Sequence, residues 1–61
     1  MRVEQSIRAL DTRRDVIIRD TQNRVLYRGT IGDIPLRLLL KRLYDKYEVH
    51  GKSVITIYRE D

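Results

Sequence analysis

Cysteine is missing from this chain of 61 residues, which removes disulfide staples, thiolate metal sites and cysteine nucleophiles and fits a reducing compartment. Histidine occurs once, at His50, too few for a zinc site built from the usual His and Cys ligands. Trp and Phe are also absent, so four Tyr carry all of the aromatic surface. No apolar run is longer than that of Leu38 to Leu40, far short of the ~18 residues of a membrane span. The N-terminus, MRVEQSIRAL, sets Glu4 and Arg8 among its apolar residues and so lacks the ~7–15-residue apolar core of a secretory signal. These absences predict a cytoplasmic protein with no membrane partner.

What remains is short, charged and basic. A chain of this length leaves room for one domain, residues 1–61, and a domain near 60 residues buries only about 60% of the surface its unfolded chain exposes. Marginal stability follows unless a partner adds to it. Thirteen Lys and Arg against nine Asp and Glu give a net charge of +4, and most of the cations are Arg. Such an excess attracts polyanions at a distance, although a charge of this size is also ordinary for solubility.

The first ten residues carry two patterns. Val3, Ile7 and Leu10 would line one face of a helix, whereas Met1, Val3, Ile7 and Ala9 alternate as in a strand. An isolated helix this short is marginal in water, so residues 1–10 read as a strand or an irregular arm. The polar run Asp11 to Arg14 supplies a connection. Val16, Ile17 and Ile18 are all β-branched and predict a strand with apolar groups on both faces. Asp20 to Asn23 then turns the chain into a second strand, Arg24 to Gly29, because Asn accepts a positive φ at little cost. Val16 and Ile18 are expected on one face, and Val25 with Tyr27 on one face of the partner.

From Gly32 to Tyr47 the spacing predicts a helix. Asp33 is placed as its N-cap and Pro35 in its first turn. Leu36, Leu39, Leu40, Leu43 and Tyr47 fall on one side at 100° per residue, with Arg37, Lys41, Arg42 and Asp45 opposite and Lys46 near the C-terminal end of the dipole. Gly51 is the expected stop, and SVITIYRE, ending at Glu60, reads as a last strand. The fold class is therefore α+β: a small two-layer domain, three or four strands packed on one helix, in the order (β)-β-β-α-β. The connection from the second strand through the helix is long enough for a crossover, right-handed if its two strands are parallel neighbours. The run from Tyr27-Arg28-Gly29 through Asp33-Ile34-Pro35 into a Leu-rich helix resembles small proteins of bacteria and their phages, a likeness that covers part of the chain and implies no residue role.

Catalysis finds little support. His50 sits beside Gly51 in a turn with Glu48 nearby, Ser6 and Ser53 have no context that marks a nucleophile, and GTIGD lacks the spacing and the Lys of a phosphate loop. No enzyme activity, cofactor or small-molecule substrate is expected. Binding is the better reading. A single helix covers one sheet face, which would leave Ile17, Leu26, Val54 and Tyr58 as a patch, with Ile34 and Leu38 off the helix's main stripe. A protein partner or a homodimer would bury that surplus, unless the first ten residues cover it. The alternative is a nucleic-acid module using Arg13, Arg14, Arg24, Tyr27, Arg28 and Arg59, whose cations could equally pair with Asp11, Asp15, Asp20 and Glu60.

Overall fold

The runs richest in β-branched residues both form strands. In the computed structural model, which describes residues 1–59, β1 (Asp15–Asp20) and β2 (Val25–Thr30) make an antiparallel hairpin. Its turn depends on Asn23 at φ 69° and on Asp20. The Asp20 carboxylate accepts the backbone N–H groups of Gln22 (2.8 Å) and Arg24 (3.1 Å) and the Arg24 Nε–H (3.0 Å). Burial pushes the Asp20 carboxyl pKa up, but these donors and the Arg24 charge outweigh it and hold the group below the ordinary 3.8.

Val16 and Ile18 share the core face as expected, but Val25 and Tyr27 do not pair in step. Ile18 pairs with Tyr27 and Arg19 with Val25, so Leu26 is the extra residue of a bulge. A bulge re-aims side chains, and Leu26 thereby reaches the side on which Leu38 and Ile57 lie.

The long helix expected over Gly32 to Tyr47 does not form. The chain makes a 3-10 turn at Ile31–Asp33, then α2 over Leu36–Leu39 alone, and continues as β3 (Leu43–Val49). Asp33 does not cap α2; it accepts the Thr30 hydroxyl at 3.3 Å. The reason is local: the residue before a proline is pushed to extended backbone, and Ile34 (ψ 127°) and Pro35 (ψ 142°) delay the helix start. Beyond Leu40, pairing wins over helical period. β3 finds a full antiparallel partner in β4 (Lys52–Ile57), through a two-residue turn in which His50 (φ 49°) and Gly51 (φ 77°) both take positive φ. Gly51 therefore closes a hairpin rather than a helix.

The first residues also differ from the strand or arm expected. α1 (Val3–Ser6) forms because tertiary contacts hold it: the Val3 N–H donates to the Lys41 carbonyl (2.9 Å) and the Leu43 N–H to the Met1 carbonyl (2.8 Å). Lys46 sits on β3 rather than on a helix, and its Nζ donates to the Ser6 carbonyl at 2.6 Å, at the open end of α1.

The observed order is α-β-β-α-β-β, a four-stranded mixed sheet with strand order β2-β1-β4-β3 and two short helices. The last strand runs parallel to β1, not beside β2, so the expected crossover links a different pair. Val3, Ile7, Val16, Ile18, Ile31, Ile34, Leu38, Ile55 and Ile57 form the core between the sheet and both helices. The sheet's other face has no covering element among the described residues, yet Val54 and Thr56 on it are buried. Val54 lies between its cross-strand partners Ile17 and Tyr47, and Arg19 donates to Thr56 (3.4 Å) and to the Tyr47 hydroxyl (2.7 Å). Long polar side chains do the covering there. No helix among the described residues is long and apolar enough to cross a membrane.

Candidate functional site

Pairing sorts the ten arginines, and the sort differs from the one the chain order suggests. Arg13 is bound to Asp11 (3.1 Å), Arg14 to Glu48 (2.9 Å) and to the Ser53 hydroxyl, and Arg24 to Asp20 (3.0 Å). Tyr27 is occupied as well: its hydroxyl donates to the Thr30 carbonyl (2.8 Å), and its ring lies so close to Gly29 that an added Cβ there would stand 2.7 Å from the hydroxyl oxygen. Arg28 is exposed on the open sheet face, opposite Ile17. Of the expected nucleic-acid residues, then, the hairpin set does not form one free basic face. Glu60, the expected partner near Arg59, lies outside the described residues.

Among the expected interface residues, Ile34 and Leu38 are core, Val54 is buried on the open face and Ile17 is half-buried. The apolar patch inferred from two-faced strands therefore does not exist as a bare surface. Leu26 and Tyr58 do reach solvent, at 40% and 42% exposure. They meet at one place. Leu26 and Tyr58 line a depression of about 180 Å³, together with Arg24, Arg37, Lys41 and Arg59. A shallower surface continues from it past Leu40 and Arg42.

This groove runs between α2 and the end of β4, and backbone contacts set its side chains. Arg42 occupies the single-residue bridge to Arg2, and its carbonyl accepts the Tyr58 N–H (3.2 Å). Held from both sides, Arg42 places its guanidinium 4.8 Å from the centre of the Tyr58 ring, within cation–π range. Tyr44, the extra residue where β3 slips register against β4, sets its ring 5.2 Å from that of Tyr58 at 80°. Arg37 projects from the exposed side of α2.

The charge of the groove is one-sided. Its one acidic side chain among the described residues is Asp20, 5% exposed and already taken up by Arg24 and two backbone N–H groups. Arg37, Arg42 and Arg59 make no ion pair with any described residue. Chemically the site can hold anionic groups with fork-shaped donors and meet flat rings with Tyr. No group of three His, Asp or Glu among the described residues is arranged to hold a metal ion.

Arg37, Arg42 and Tyr44 were missed by sequence reasoning, which placed the first two on the solvent side of a long helix. The signal that could have found Tyr44 is the β-rich run Leu43 to Val49 before His50-Gly51. No protein-family model matches the chain, and no curated protein or solved structure matches it.

Proposed function

We propose that this chain is a small non-enzymatic interaction module that binds a polyanion, nucleic acid being the class that fits best, in the groove between α2 and the end of β4. One observation carries the reading: three arginines without a described carboxylate partner converge on Tyr58, while Asp20, the one acid lining the groove among the described residues, is neutralised within the fold. Phosphates suit the arginines, and tyrosines give the sequence-tolerant contact surface that bases use. The lack of cysteine accords with work in a reducing compartment such as the cytoplasm.

The test is a labelled oligonucleotide titrated at low salt and again at rising salt. Binding should weaken with log salt, and Arg37→Gln with Arg59→Gln should reduce both affinity and salt slope, while Arg13→Gln, whose cation is already paired, should change neither much. No binding at low salt, where the electrostatic part is largest, would refute it.

A protein partner or a second copy is the other reading, and the free edge of β2 favours it. β2 pairs on one side only, and Val25 and Leu26 are 54% and 40% exposed there. Sedimentation measured over a range of concentrations decides it: a mass that stays monomeric, with an edge charge such as Val25→Lys leaving every interaction unchanged, removes the reading.

A further inference from the structure

Resting on the groove reading, a sharper property follows from Tyr58 in the groove and Tyr44 beside it, which lines a neighbouring hollow with Asp45, and we infer that the site selects single-stranded nucleic acid over duplex. Tyr44 is 56% exposed and Tyr58 42% exposed, their ring centres are 5.2 Å apart, and their planes stand at 80°. Bases in a duplex are parallel to one another and hide their faces in the stack. Two neighbouring rings at nearly a right angle cannot both lie flat against such a stack.

A single strand has no such restriction, because its backbone can turn between adjacent nucleotides and offer each base face separately. One base lies on Tyr44 and the next on the side of Tyr58 away from Arg42, whose guanidinium already covers one face of that ring and supplies a cation at the turn of the backbone. Arg37 and Arg59 then meet the flanking phosphates. The open sheet face lacks this combination: among the described residues Tyr47 has no second ring beside it, and its hydroxyl is held by Arg19.

The experiment compares three labelled ligands on the unaltered chain: a single strand of about 12 nucleotides, within the ~4–16 of known single-strand sites, its duplex, and an abasic strand with the same number of phosphates. The single strand should bind more tightly than the abasic strand by roughly 5- to 150-fold per stacked base, and more tightly than the duplex. Tyr44→Leu and Tyr58→Leu should each erase part of that advantage, read as the ratio of single-strand to abasic affinity for the same variant. Arg37→Gln with Arg59→Gln should weaken all three ligands together.

Equal affinity for the single strand and the abasic strand, or a preference for duplex, overturns the inference while leaving the basic groove in place. Failure of all three ligands to bind at low salt overturns the groove reading itself. Tyrosine variants that keep the full single-strand advantage overturn the assignment to these rings.

Discussion

Two leucines on α2 give the most direct test of how this chain is built. Leu36 and Leu38 lie two residues apart on a helix, about 160° around its axis, so they cannot both face the sheet. The helical period of Gly32 to Tyr47 puts Leu36 inward and Leu38 off the stripe; the structure puts Leu38 in the core at 1% exposure and leaves Leu36 67% exposed. Truncating Leu38 to Ala removes the equivalent of about three methylenes, or roughly 2.4 kcal/mol of transfer free energy. The cavity left against Ile18, Ile34 and Ile57 raises the expected loss to about 3 kcal/mol, inside the ~2–5 kcal/mol range for buried Leu→Ala changes. A domain of this length has only roughly 3–9 kcal/mol in total. The thermal midpoint should therefore fall by roughly 12–24 °C, if the variant folds at all. Leu36→Ala should stay within about 0.5 kcal/mol of the parent. Urea unfolding followed by circular dichroism reads both variants, with the parent alongside. A Leu36→Ala loss equal to or greater than that of Leu38→Ala would mean that α2 presents its other side to the sheet, and the core described above would be wrong.

Three further outcomes follow from other parts of the fold. Gly51→Ala should cost about 1–2 kcal/mol by thermal unfolding: beyond its own chain neighbours no described heavy atom lies within 4 Å of the added Cβ, so the loss comes from φ 77° alone, and Gly51→Asn should cost less. The Asp20 carboxyl sits below its ordinary 3.8, as does that of Asp11 through its hydrogen bonds from Arg13. Both folded values are lowered, so their stabilisation is fully present above the unfolded value and fades as pH falls below about 3.8 through the folded ones. Thermal midpoints taken from neutral pH to pH 2 should drop in that window, and Asp20→Asn should flatten the drop; an unchanged profile would mean that Asp20 does not organise the hairpin. Lys46→Met, which keeps the stem and removes the donor to the Ser6 carbonyl, should cost about 1 kcal/mol and speed amide exchange in α1 ahead of the sheet.

Parts of the candidate site were legible before the fold was known, and the failures have a common cause. Arg24, Leu26, Tyr58 and Arg59 were all singled out, for two different functions, and they meet in one groove. Their meeting depends on the bulge at Leu26 and on β4 lying next to β1, neither of which local residue patterns encode. Arg13 and Arg14 read equally well as free cations until Asp11 and Glu48 are in position to bind them.

By itself the sequence determined the features that short-range sterics control. Val16 to Ile18 and Val54 to Ile57 are rich in β-branched residues, and both are strands; Asn23 and Gly51 tolerate positive φ, and both stand at turns. Tertiary structure decided between the two readings that Leu43 to Val49 allows. Leu43 and Tyr47 satisfy a helical period, but a helix there would leave the edge of β4 without hydrogen-bond partners, whereas a strand satisfies that edge along its length. That choice moved Arg42 from the outer side of a helix to the end of a sheet and set it, with Tyr44, beside Tyr58.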